Sequence, residues 1–120
     1  MSLDVYLNRK RYLSYDEGKT YTEDDEQVYW ANITHNLGEM ADKAGIYKAL
    51  WRPEEIGAKY AKDIIEIVEK GLADLKARPE YFEQFNSPNG WGMYEHFVPF
   101  VAEYLEALKE YPHAKIEVSR

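Results

Sequence analysis

Residues 29–40 read YWANITHNLGEM, and the assignment of this stretch decides how much of the N-terminal third is helical. Its apolar positions, continued into the next segment, are Trp30, Ile33, Leu37, Met40, Ala41 and Ala44. Steps of three and four make one helical stripe, so the spacing predicts an amphipathic helix. Thr22 is a suitable N-cap, and acidic residues follow it where a helix dipole favours them. The helix is therefore expected to begin near Glu23, or afresh near Gln27, and to stop at Gly45.

That helix is costly. Asn32, Thr34, Asn36 and Gly38 are poor helix formers, and together they forgo about 2–3 kcal/mol relative to alanine. On a helical wheel Asn32, His35, Asn36 and Glu39 share the face opposite the apolar stripe. An exposed face needs only Glu, Lys and Gln, so these residues imply another use. Three explanations stay open. The face is buried, with its amides and imidazole satisfying backbone groups. Or it lines a pocket for a small polar ligand. Or His35 and Glu39 ligate a metal, with His96 as a third ligand, although a pair one turn apart is a weak signature. Asn32-Ile33-Thr34 also fits a glycosylation pattern, which a helical site in a cytoplasmic protein makes irrelevant.

Working outward, SLDVYLN (2–8) alternates Leu3, Val5 and Leu7 with Ser2, Asp4 and Tyr6, the period of a strand with one buried face. The alternation could run on through Tyr12 or Leu13, and Asp16-Glu17-Gly18-Lys19 reads as a turn. Ile46 to Trp51 reads as a short apolar helical turn. A second helix is predicted from Pro53, with Ile56, Tyr60, Ile64, Val68, Leu72 and Leu75 on its stripe and a stop by Arg78-Pro79. Pro79 to Phe85 suggests one further turn of helix. SPNGWG (87–92) is a loop of turn formers. The last helix carries Tyr94, Phe97, Val98, Val101, Tyr104, Leu105 and Leu108 on one face. Pro99 should kink it or delay its start. Phe100 lies off that face beside His96 and implies cover on both sides or a partner. Lys115 to Ser119 alternates again as a short strand.

The predicted fold is α+β and mainly helical, one domain over residues 1–120. It has three principal helices and a small sheet formed by the N- and C-terminal strands. Neither strand has an evident hairpin partner, so each is expected to pair with the other. Pairing across a homodimer would extend the sheet.

Composition narrows the function. The 120 residues are 45% hydrophobic and 31% charged, with no cysteine and a net charge of −7. No disulfide framework, thiolate nucleophile or cysteine-zinc site is available. The acidic balance argues against nucleic acid, where Lys and Arg on phosphates supply most of the affinity. No apolar run approaches a membrane span, and the first residues lack the apolar core of a signal peptide. A cytoplasmic protein is expected. Charge is uneven: Arg9, Lys10 and Arg11 form a basic patch, and Asp16, Glu17 and Glu23 to Glu26 an acidic segment. Neither GxGxxG nor GxxxxGK occurs, nor HExxH, nor a Ser-His-Asp pattern in a recognisable context. No catalytic residues and no cofactor are assigned, and the chain is not read as an enzyme. In NGWG (89–92), two glycines flank Trp91, which reads as a tight turn with a packed Trp or as a stacking platform with close backbone approach.

SLDVYL (2–7), YWANITHNLGEMADKAGIYKALWRPEEIG (29–57) and SPNGWGMYEHFVPFV (87–101) resemble a family of small phage and bacterial proteins. The resemblance spans most of the chain. It brings no established activity, cofactor or site, and it implies a phage- or prophage-encoded protein acting inside a bacterial host cell. By analogy with other small phage proteins, it implies action on host defence, by occluding a host protein or by sequestering a nucleotide signal.

Two functions follow. In the first, the chain binds a small polar or nucleotide-like ligand: Asn32, His35, Asn36 and Glu39 face Trp91, Tyr94 and His96 across a pocket, the aromatics stacking and the amides reading edges. Phosphate would want cations, and Arg9, Lys10, Arg11 and Arg52 are far apart in sequence. In the second, residues 16–26 engage a basic host protein, with Tyr15 and Tyr21 as anchors. A metal-dependent hydrolase ranks third.

Overall fold

The computed structural model describes residues 2–14 and 21–120. The expected turn at residues 16–19 lies outside them. Strand β1 (Ser2–Ser14) is the centre of a three-stranded antiparallel sheet, between β2 (Tyr21–Thr34) and β3 (Lys115–Ser119). The termini pair as expected, Val5 opposite Val118 and Leu7 opposite Ile116. β1 also has the hairpin partner that the sequence did not suggest.

That partner overturns the helical reading from its expected start, near Glu23 or Gln27, through Thr34. Leu3 pairs with Ile33, Val5 with Ala31 and Leu7 with Tyr29, so β2 alternates inward at 29, 31 and 33. Trp30, placed on the helical stripe, instead points away from the core and is 54% exposed. Of the four poor helix formers, Asn32 and Thr34 lie in the strand, Asn36 in the turn that follows it, and only Gly38 in a helix. Tyr29, Trp30, Ile33 and Thr34 are strand formers, whose aromatic or β-branched side chains fit a pleated surface. Helix begins only after Thr34, whose Oγ1 accepts from the Asn36 N–H and starts a 3₁₀ turn, His35–Leu37. That turn leads into α1 (Gly38–Lys43).

The register shifts between Leu7 and Asn8, where Val28 is the extra residue of a bulge. β3 reaches no further than Asn8. The molecule measures 59 × 27 × 23 Å along its principal axes. The two strands of the hairpin are tied by charge: Arg9 to Glu26 at 2.9 Å, Arg11 to Asp24 at 2.7 Å, and Lys10 to Glu23. Residues 9–11 of the basic patch and 23–26 of the acidic segment therefore face each other across one hairpin.

The short helix α2 (Tyr47–Trp51) forms as expected. The second principal helix starts twelve residues later than predicted. Pro53–Ile56 is a 3₁₀ turn closed by Gly57, whose φ of +71° suits glycine. Tyr60 then bridges Lys115 at the sheet edge. Asp63 Oδ2 accepts from the backbone N–H groups of Tyr60 and Lys59, both at 2.9 Å, which holds its carboxyl below the usual range. Only at Ile65 does α3 (Ile65–Ala77) begin. Ile56 and Tyr60 are accordingly exposed. Helix periodicity lost here to a left-handed glycine and to pairing with β3. α3 ends before Pro79 as predicted, and α4 (Pro79–Glu83) supplies the further turn.

α5 (Tyr94–Glu110) runs through Pro99 without a delayed start. α3 and α5 pack together, and Val68, Leu75, Phe97, Val101 and Leu108 join Leu3, Val5 and Leu7 in one core. Phe100 is buried too, 6.4 Å from Phe97 and 6.3 Å from Tyr104 between ring centres, so its face of the helix is covered. The Tyr104 hydroxyl is buried with no hydrogen-bond partner among the described residues, and burial pushes its pKa up. Tyr104→Phe removes that orphan and keeps the ring stack on Tyr29. It is expected to leave stability unchanged or raise it by about 1 kcal/mol, read by urea denaturation. A clear loss of stability would show that the hydroxyl has a partner after all.

Candidate functional site

A cleft of about 890 Å³ opens where the end of β2 and the following 3₁₀ turn meet the 87–92 loop. Of the seven residues expected at a ligand site, Asn32, His35, Asn36, Trp91 and His96 line it. They do so from a strand end, a turn, a loop and the start of α5, not from one helix face. Two do not. Glu39 is exposed on α1 outside the cleft. Tyr94 is structural: its hydroxyl donates to the Leu75 carbonyl at 2.7 Å, and its N–H donates to Asn86 Oδ1.

The loop is held from within. Asn89 Oδ1 accepts from the Trp91 N–H at 2.9 Å and from the Ser87 hydroxyl at 2.6 Å. The Ser87 N–H closes the loop onto the Gly92 carbonyl. The loop is then clamped to the turn, because Asn36 Nδ2 donates to the Trp91 carbonyl at 2.7 Å. Gly92, at φ +118°, lies so close that a Cβ there would sit 2.8 Å from Asn36 Cβ. With its backbone pinned on both sides, Trp91 still presents its ring to solvent, 71% exposed.

The opposite wall is equally fixed. The Trp51 indole donates to His35 Nδ1 at 2.9 Å. The neutral imidazole then carries its proton on Nε2, which remains as a donor. Asn32 donates to Asp4 Oδ1 at 2.7 Å and to Ser2 Oγ at 2.9 Å, and the Trp30 indole reaches the same Asp4 oxygen. Asn32 is thus tied into the outer face of the sheet, leaving its carbonyl oxygen as the acceptor. His96 stands at the rim with its side chain largely exposed.

Sequence reasoning did not name Ser2, Ile33, Thr34, Leu37 and Asn89 as lining residues, and it gave Gly90 and Gly92 only as a close backbone approach around Trp91. For the loop positions a signal existed, since SPNGWG was already distinguished by its glycines. For Ser2 there was none without the hairpin register. The triad His35, Glu39 and His96 is not assembled, and among the described residues no group of three His, Asp or Glu side chains is placed to hold a metal. No helix of the described residues is long and apolar enough to cross a membrane.

No family model matches the chain, and neither curated proteins nor solved structures give a significant match.

Proposed function

We propose that the protein binds a small, uncharged, hydrogen-bonding ring compound in this cleft, with Trp91 as the stacking surface. The observation that carries the reading is the exposed indole on a backbone fixed from two sides. Trp30 is also exposed, but Trp91 lines a cleft beside convergent polar groups, where its ring face can stack on a bound ring. The polar side chains of the lining are amide, hydroxyl and imidazole, which donate and accept but carry no fixed charge, and Ile33 and Leu37 add apolar surface beside them. The volume lies within the usual range for small-molecule sites, about 300–1,000 Å³. A nucleobase or nucleoside fits this chemistry better than a free phosphate, for which the cleft offers no Lys or Arg. In a phage-encoded protein acting in the host cytoplasm, such a site would serve to sequester a small signal.

The test is a titration of the full chain with nucleosides and other neutral ring metabolites, followed by tryptophan fluorescence and calorimetry. Trp91→Ala is expected to weaken binding by about tenfold or more, as loss of one stacking contact does. Its melting temperature should barely move, because the ring is exposed. Binding that survives Trp91→Ala unchanged would sink the proposal, as would the absence of binding across the panel.

The rival reading, an acidic docking surface over residues 16–26, has less support. Glu23, Asp24 and Glu26 are already engaged by Lys10, Arg11 and Arg9. Tyr15 and residues 16–20 lie outside the described residues.

A further inference from the structure

The amides and the imidazole of the Trp91 cleft are each held by a partner that can play only one part. Asp4 stands on the central strand directly opposite Asn32, between the buried Leu3 and Val5, so its side chain shares the outer face of the sheet with that of Asn32. An ionised carboxylate only accepts, so the amide that meets Asp4 Oδ1 at 2.7 Å presents its nitrogen there. The second hydrogen of that nitrogen goes to Ser2 Oγ at 2.9 Å. Asn32 then has no side-chain N–H left, and its Oδ1 is the end free to meet a ligand. Asn36 is held in the same sense. Its Nδ2 donates to the Trp91 carbonyl, another group that only accepts, and its Oδ1 is free among the described residues. On His35 the sense is reversed, because an indole only donates: Nδ1 accepts from Trp51 and Nε2–H is the free end. The Trp91 N–H likewise fixes Asn89 Oδ1, which leaves Asn89 Nδ2 as a donor. The hydroxyls of Ser2 and Thr34 turn to suit either kind of partner and do not discriminate.

We propose that the cleft selects rings that carry an exocyclic amino group together with a ring carbonyl, the pattern of guanine, and that Asp4 sets this preference through Asn32. The inference rests on the reading of the cleft as a site for a neutral ring compound and adds which ring. Two fixed amide oxygens call for donors on the ligand, and the fixed N–H groups of His35 and Asn89 call for acceptors. Guanine supplies both, with N1–H and its amino group on one side of the account and O6 and N7 on the other. A ring with hydrogen in place of the amino group leaves an amide oxygen without a partner once water is displaced, and a ring with an oxo group there sets oxygen against oxygen. Asp4 lies outside the lining and touches no ligand, so it is a positioning residue. Its Oδ1 is itself held in place, because the Trp30 indole donates to the same atom at 3.2 Å. Without that oxygen the Asn32 amide can turn over and offer N–H to the cleft instead.

The experiment compares guanosine with inosine, and cytidine with uridine, by calorimetric titration of the full chain. Guanosine and inosine differ by the amino group alone, and uridine carries an oxo group where cytidine carries its amino group. Guanosine is expected to bind about tenfold more tightly than inosine, the worth of one well-placed hydrogen bond, and cytidine more tightly than uridine. Asp4→Ala and Asn32→Ala should each bring guanosine and inosine to near parity. Asp4→Asn keeps an oxygen for the Asn32 amide and should retain the preference. The ratio of the two affinities is the readout, because damage to the fold lowers both together and leaves their ratio unchanged. Guanosine and inosine bound equally by the unaltered protein, a preference that survives Asp4→Ala, or binding of other neutral rings but none of these four would overturn the inference and leave the stacking site standing. Absence of binding across every neutral ring tried, or binding indifferent to Trp91→Ala, would remove the site and this inference with it.

Discussion

Gly92→Ala is expected to destabilise the protein by about 3 kcal/mol and to abolish ligand binding in the Trp91 cleft. Two terms add. At φ +118° an L-residue is strained, which alone costs about 1–3 kcal/mol. The new methyl would also stand 2.8 Å from Asn36 Cβ and 3.3 Å from the Asn36 carbonyl carbon, and overpacking typically costs a further 1–3 kcal/mol. The loop can relieve the clash only by lifting off the turn, which breaks the bond from Asn36 to the Trp91 carbonyl. Gly90→Ala is the control. Its φ is +78° but a Cβ there meets nothing within 4 Å, so only the strain term applies, about 1 kcal/mol. In the double variant Gly92→Ala/Asn36→Gly the steric part should be largely recovered and the strain retained, a coupling that chemical denaturation resolves. Gly92→Ala as stable as Gly90→Ala would show that the close approach does not exist.

The same loop shows what was legible beforehand. Gly90 and Gly92 around Trp91 announce a special backbone to anyone reading along the chain, because their conformational cost has no other local explanation. The partner that they serve could not be read, since Asn36 is 55 positions from Trp91. The terminal strands were legible for the opposite reason: strict alternation in 2–8 and 115–119 needs no distant information. β2 was not. Its sequence fits steps of three and four almost as well as steps of two, because Trp30 puts a large apolar group on the outer face, where it reaches Asp4. The propensity of Asn32 and Thr34 held the correction, and it was read as a cost borne by a helix when it argued against a helix. Five of the seven expected site residues still line one cleft, through a geometry different from the predicted one. A turn of polar residues at the end of a strand gathers neighbours in sequence much as a helix face does. Glu39 fell away because its place depended on the helical phase.

Trp51→Ala carries the other large effect. The side chain is almost fully buried, and truncating such a residue typically costs 3–5 kcal/mol, or about a third or more of the stability of an ordinary domain. Trp51 has two further attachments. Its ring stacks on Tyr47, 5.3 Å between centres and 11° from parallel, and its indole N–H is the partner of His35 Nδ1. The alanine variant therefore loses core volume and an orienting bond together, and loss of binding in it would not separate the two. Trp51→Phe does. Phenylalanine keeps a ring against Tyr47 and most of the buried area but cannot donate to the imidazole. Its stability cost should be modest, about 1–2 kcal/mol, from the smaller ring and the vacated bond. Ligand affinity should fall by more than that loss implies, since His35 is then free to turn and its tautomer is no longer fixed. His35→Ala in the Trp51→Phe background should add little further loss of affinity, whereas the two changes would add if Trp51 acted only through packing. Calorimetric titration of the four proteins, each with its urea midpoint, distinguishes these outcomes. Full additivity would remove Trp51 from the site and leave it a core residue alone.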